Sequence, residues 1–194
     1  MHGLPISSRD MNRMSRTLWL LAVGTAVWGC GARDEPDVGA RMTLQLTSSA
    51  FAEGQTIPAK YTADGENLSP PLTWSAPPAG TASHALICDD PDAPRGTWVH
   101  WVIFNLPGDL RELKEGVSAA GALPKDARQG KNDFGNVGYG GPAPPSGKPH
   151  RYFFKLYAVD TQLELPAGAT KDQVVTAIKG HALAEGRLVG KYQR

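Results

Sequence analysis

The residues able to do chemistry gather in three short stretches. The run Asp89-Asp90-Pro91-Asp92-Ala93-Pro94-Arg95-Gly96-Thr97-Trp98-Val99-His100 carries three carboxylates, two prolines and a glycine. It enters an apolar segment, Thr97 to Asn105, with a histidine where a core residue is expected. His150 and Tyr152 stand two apart at the start of another apolar segment, so in a strand both point the same way. Just before them, Gly130 to Pro149 holds six glycines and four prolines in twenty positions, a long irregular stretch of the kind that is either functional or disordered. Phe134 and Tyr139 within it argue for a packed loop.

Two imidazoles beside a carboxylate fit three kinds of site. In an anion pocket the carboxylate favours the charged imidazole, which binds phosphate, while glycine-rich backbone brings N–H donors close. Such a site is of mixed sign and suits a zwitterionic head group, with phosphate on the histidines and ammonium on the aspartate. A two-His, one-carboxylate metal site is the second kind, but no His-x-x-x-His spacing supports it. The third is a hydrolase with His100 as general base and Asp90 orienting it. That chemistry needs a nucleophile, and the chain has no Gly-x-Ser-x-Gly elbow. Cys88 adjoins the acidic run, yet an isolated cysteine in an apolar strand reads first as a small core residue. The plain alternative to all three is a pair of satisfied polar histidines in a β core.

The elements that must position these groups are mostly strands. Met42, Leu44 and Leu46 alternate with polar residues as in a half-buried strand. Ile57 to Tyr61 reads as a short strand, Asp64-Gly65-Glu66-Asn67 as a turn, and Leu72 to Trp74 as a strand after the extended Ser69-Pro70-Pro71. Ser83 to Cys88 is a further strand. In Thr97 to Asn105, Trp98, His100, Val102 and Phe104 are expected on one face and Val99, Trp101 and Ile103 on the other, the pattern of a central strand covered on both sides. From Leu106 to Pro149 periodicity is weak, with a short turn at Leu110 to Lys114. His150 to Val159 is a strand, Asp172 to Ala184 a helix capped by Thr170 and ended at Gly186, and Leu188 to Tyr192 a last strand.

The N-terminus reads as a targeting segment. Arg9, Arg13 and Arg16 precede the uncharged 11-residue run Leu18 to Trp28, too short for a span of about 20 residues but suited to a signal peptide. The run ends in Val27-Trp28-Gly29-Cys30, which resembles the lipobox of bacterial lipoproteins, with Trp28 departing from the small residue common there. The organisation expected is a lipoprotein-type signal peptide at 1–29, a polar tether at 30–41 and one domain at 42–194. Cys30 would carry the lipid, and the protein would be exported and anchored in the cell envelope by that lipid; an ordinary exported protein and an uncleaved anchor are the alternatives. Cys88 is then left without a disulfide partner. Of 20 basic and 19 acidic residues, cleavage removes three arginines and one aspartate, leaving 17 and 18. A nearly neutral chain without a basic run argues against nucleic acid as a partner.

Several ordered motifs resemble the phosphatidylethanolamine-binding protein family, in particular its bacterial branch similar to Raf kinase inhibitor protein. They are Asp64-Gly65-Glu66-Asn67-Leu68-Ser69-Pro70-Pro71-Leu72-Thr73-Trp74, Asp90-Pro91-Asp92-Ala93-Pro94, Trp98-Val99-His100-Trp101, Gly138-Tyr139-Gly140-Gly141-Pro142 through Pro145, and His150-Arg151-Tyr152. The resemblance runs from about Met42 to Arg194. It implies a mostly β fold with a large central antiparallel sheet, a smaller packed sheet and a C-terminal helix. It also implies an anion pocket at Asp90, His100, His150 and Tyr152, walled by Gly141, Pro142 and Trp98; from the residues themselves no metal or other cofactor is expected. Expected partners are a phosphate-containing small molecule or lipid head group, a kinase or protease that the protein inhibits or modulates, and a second copy in a homodimer.

Overall fold

The computed structural model describes residues 42–117 and 123–194. All of them belong to one of the chain's two compact units, Val38–Arg194; the other, Met1–Asp37, lies outside the described residues, as do the expected signal segment, tether and Cys30.

Among the described residues nine strands and one α-helix follow in order: β1 (Met42–Leu44), β2 (Leu46–Thr47), β3 (Leu72–Trp74), β4 (Ser83–Asp90), β5 (Trp98–Pro107), β6 (Glu112–Leu113), β7 (Arg128–Gln129), β8 (His150–Val159), α1 (Lys171–Ile178) and β9 (Ala182–Tyr192). Six strands form the larger sheet in the order β1-β9-β8-β4-β5-β7, and β2-β3-β6 form the smaller. The larger sheet is mixed, because β1 runs parallel to β9 while every other pair is antiparallel. Leu46, Leu72, Trp74 and Leu113 of the smaller sheet pack with Leu86, Trp101, Ile103, Phe154 and Leu156 of the larger in one core. On the opposite face Val174 and Ile178 of α1 pack with Ala85, Ile87, Val102 and Phe104 in a second core. Covered on both sides, β4 is buried at all eight positions.

Four local expectations are corrected by long-range contacts. The strand expected from Met42 through Leu46 is split at Gln45, whose N–H goes to Ser75 Oγ; β1 joins the larger sheet and β2 the smaller. Ile57 to Tyr61 is not a strand. Ile57 donates a single N–H to Lys191 O, and Pro58 then opens a 3-10 turn at Ala59–Tyr61. The turn expected at Leu110 to Lys114 contains β6, paired with β3. The helix is eight residues long, starting at a capping box between Thr170 and Gln173 and stopping before Gly180, whose φ is +82°. Ala182, Ala184 and Gly186 belong to β9, paired with Val159, Ala158 and Leu156. Backbone pairing along β8 prevails over the helical spacing of Ala182.

Strand β5 also departs from simple alternation. Two register shifts interrupt its pairing with β4; at one of them Cys88 faces Trp101 and Asp89 faces Val99, so β5 has an extra residue there, His100, at a β-bulge. The bulge shifts the phase of the strand. Val99 falls in the helix-side core with Val102 and Phe104, while the His100 ring lies against Tyr152 on the side of the smaller sheet, not with Val102 and Phe104 as alternation alone implies.

Candidate functional site

Strand phase decides which carboxylate reaches which neighbour. On β4, Leu86 and Cys88 face the smaller sheet and Ala85 and Ile87 face the helix. Asp90 continues the first series and Asp89 the second. Asp89 accordingly meets Lys171 of α1 and Lys155 of β8, while Asp90 meets His150 at the opposite face. Asp92 accepts from Arg151 through its backbone N and its guanidinium, at 2.7–3.0 Å, and so fastens the Pro91 to Pro94 turn to β8.

The glycine-rich loop is docked on β5 rather than loose. Gly130 N donates to Val102 O, Asp133 N to Val99 O and Gly140 N to His100 O, extending the sheet's hydrogen bonding along the bulge. Asn132 ties the loop to itself, accepting from Phe134 N and Asn136 N and donating to Gly138 O. A Cβ on Gly140 would meet the Phe134 ring at 2.6 Å, and one on Gly141 would meet Asn67 Oδ1 at 2.7 Å. These close approaches seat Phe134 against His100 and Trp98, with ring centroids 5.3 and 5.5 Å apart.

A cavity of about 370 Å³ opens between these parts, lined by Asp90, Trp98, His100 and His150 with Ala93 to Arg95, Phe134, Ala143 to Pro145 and Arg194. A larger one, about 1050 Å³, lies between the β1–β2 segment and the β8–β9 strands and contains none of the expected site residues. The smaller cavity holds the convergent polar groups and is the candidate site. Tyr152 stands behind His100, with ring centroids 5.1 Å apart. Gly141 and Pro142 precede the lining residues Ala143 to Pro145 and fix them from outside. Gly141 N donates to Asn67 Oδ1, and Pro142 O accepts from Ala63 N.

The protonation pattern follows from the partners. His100 Nδ1 lies 2.7 Å from Gly140 O, which can only accept, so Nδ1 carries the proton and Nε2 is left for other use. Burial pushes the imidazole below its ordinary value, with the Gly140 carbonyl and the Asp90 charge pulling partly back, so the ring is neutral at pH 7. His150 Nδ1 donates to Asp90 Oδ2 at 2.7 Å, and Asp90 Oδ1 accepts from Asp92 N at 2.8 Å. Burial first and the Asp90 charge second hold the Tyr152 hydroxyl in its protonated form. Ala143 N–H lies beside that oxygen, which leaves the hydroxyl proton without an acceptor, and Trp98 Nε1 is likewise buried without one. A buried donor left unpaired costs about 1–3 kcal/mol, so an acceptor that reaches Trp98 Nε1 at the cavity wall gains from it.

Cys88 sits in the core at 1% exposure, and burial pushes its thiol well up. No hydrogen bond joins it to His100 among the described residues, and no serine, threonine or cysteine lines the cavity. Among the described residues no cluster of three or more His, Cys, Asp or Glu side chains is placed to hold a metal ion.

Several lining residues, among them Phe134, Pro144, Pro145 and Arg194, escape local reading. Phe134 is marked only as an aromatic in a glycine-rich loop, and Pro144 and Pro145 only as parts of a motif. Arg194 has no local signal at all; it arrives through the register of β9 on β8, which sets Tyr192 opposite His150.

A sequence profile described as phosphatidylethanolamine-binding protein matches residues 47–193. A UPF0098 protein of Methanothermobacter thermautotrophicus is 54% identical over 151 residues, covering 78% of this chain and 99% of that protein. One from Aquifex aeolicus is 44% identical over 153 residues, covering 78% and 89%. Among solved structures, a phosphatidylethanolamine-binding protein homologue of Chlamydia trachomatis matches with a TM-score of 0.72 at 40% identity. E. coli YbcL, described as a member of the mammalian family, matches with 0.74 at 34%; both cover 78% of this chain and 98% of the other. Profile, sequence relatives and fold agree: the chain belongs to the phosphatidylethanolamine-binding protein family.

Proposed function

We propose that the domain is a non-enzymatic binding module whose cavity takes a phosphate group, free or on a phospholipid head group. The observation that carries this reading is the convergence, on one cavity, of two imidazoles with their Nδ1 protons already committed, the Arg194 guanidinium, and Trp98, whose buried Nε1 lacks an acceptor. A phosphate oxygen supplies acceptors to the donors, and a phosphate O–H or a proton taken up at Nε2 matches His100. A hydrolytic use of His100 lacks a nucleophile in the lining and has no observation in its favour.

Calorimetric titration with inorganic phosphate, phosphoethanolamine and ethanolamine tests the proposal. Saturable binding of the two phosphates, lost in His100→Ala, is the expected outcome. Binding of ethanolamine alone, or hydrolysis of a phosphoester panel that disappears in His100→Ala, would overturn it. Export to the cell envelope, lipid attachment at Cys30 and modulation of a kinase or protease by the occupied pocket belong to the same proposal. Incorporation of labelled palmitate that is abolished in Cys30→Ser supports the anchor, and equal incorporation removes it.

A further inference from the structure

The turn Asp64-Gly65-Glu66-Asn67 lies outside the cavity, yet it braces the cavity wall in three ways. Asn67 Oδ1 holds Gly141 N at 2.7 Å, and the preceding Ala63 donates its N–H to Pro142 O at 3.0 Å. The third brace is Asp64 itself. Its carboxylate receives Arg194 Nε at 2.8 and 2.9 Å and Nη2 at 2.6 Å, a two-pronged fork, and it also accepts from Tyr192 Oη at 3.0 Å. Arg194 Nη1 reaches Pro144 O at 3.3 Å.

An arginine of this exposure, 37% for the side chain, would otherwise sample many rotamers. Here three of its five N–H groups are committed to the turn and the proline wall, which leaves two on a guanidinium that lines the cavity with His150 and Asp90. The other lining arginine, Arg95, is exposed and has no ion pair among the described residues. Of the two arginines among the described lining residues, Arg194 is the one held in place.

The geometry points to Asp64 as a positioning residue that holds the Arg194 guanidinium at the cavity, where it is the fixed cation meeting the ligand's phosphate. This rests on the phosphate reading of the pocket. It assigns the cavity's polarity differently from a scheme in which histidines alone carry the anion: the neutral Nε2 of His100 offers a lone pair, while Arg194 and Trp98 Nε1 offer hydrogens.

The sign of one substitution separates positioning from plain charge. Asp64 is a negative charge next to an anion site, so as a charge alone its removal tightens phosphate binding; as the holder of Arg194, its removal weakens it. The test is calorimetric titration of the full chain with inorganic phosphate, after thermal melting has shown each variant folded. Asp64→Asn is expected to bind about threefold more weakly, and Arg194→Gln about tenfold, the loss of roughly one charge-assisted hydrogen bond. Asp64→Glu, which keeps the carboxylate, recovers part of the loss. Arg194→Lys falls between wild type and Arg194→Gln, because it keeps the charge without the fork. Glu66→Gln removes a charge from the same turn without touching Arg194, and binds as well as wild type or better. Asp64→Asn binding as tightly as wild type or more so, or Arg194→Gln binding unchanged, would overturn the assignment while leaving the pocket reading in place. A wild-type protein that binds no phosphate ends both.

Discussion

At the scale of single residues, the site is defined by which hydrogens are already spent. The Gly140 carbonyl fixes His100 in one tautomer and burial keeps it neutral, so its Nε2 accepts until a proton arrives. Phosphate monoesters lose their second proton near pH 6. Both partners therefore favour binding at the lower end of the neutral range, and phosphate affinity is expected to rise severalfold from pH 8 to pH 6. Titrations at three pH values in buffers of different ionisation heat would show it as net proton uptake; affinity that falls over that range contradicts the assignment. Residue type and strand entrance mark His100, His150 and Tyr152, whereas the choice of Asp90 among three neighbouring aspartates came from the family resemblance; Asp90, His100 and His150 meet at one cavity, with Tyr152 behind His100. Asp89 and Asp92 were harder to sort, since only the alternation of β4 and the reach of Arg151 tell a bridge to the helix from a turn fastener. Arg194 was not readable, because nothing local announces it.

At the scale of elements, β5 and α1 show where periodicity ends and pairing begins. The bulge at His100 is invisible to alternation because Trp98 to Asn105 is apolar on both faces, so a one-residue shift leaves the pattern looking the same. It is nevertheless what turns His100 toward Tyr152. The helix start was legible from Thr170, but its end was not, because Ala182 and Ala184 satisfy a helical stripe and a buried strand equally well. Two small devices hold α1 to the sheet. Thr170→Ala removes the cap and is expected to cost about 1 kcal/mol. Asp89→Ala removes the 1%-exposed carboxylate that joins Lys171 to Lys155, and is expected to cost about 2 kcal/mol. That is below the range for a fully buried pair, because both ammonium groups still reach water. Urea unfolding of both variants checks the order; a larger loss in Thr170→Ala than in Asp89→Ala contradicts it.

At the scale of the whole molecule, two cores on either side of one mixed sheet leave the histidines as the groups most sensitive to acid. His84 has no exposed surface, and burial lowers its imidazole, as it does that of His100. A folded-state value below the unfolded 6.5 means that the unfolded chain binds more protons. Stability is then full above about pH 6.5 and is lost as pH falls below it. The lowered carboxyls Asp64, Asp92 and Glu115 act only below their ordinary values of 3.8 to 4.5, so the window from pH 6.5 to 5 isolates the histidines. The urea midpoint is expected to drop between pH 7.5 and 5.5; a midpoint that holds or rises contradicts the buried, neutral histidines. The residue pattern made the chain legible as mostly β with one helix, and the smaller packed sheet came from the family resemblance. The parallel pairing of β1 with β9 was not legible, since it joins residues about 140 positions apart in sequence.

The measurement that bears most directly on the central claim follows the His100 and His150 imidazole signals by NMR while inorganic phosphate and then phosphoethanolamine are added at pH 6.5. Saturable shifts of both rings, with those of His84 and His181 unmoved, are the result the phosphate-pocket account predicts. Signals from His100 and His150 that stay unchanged at millimolar ligand would contradict it.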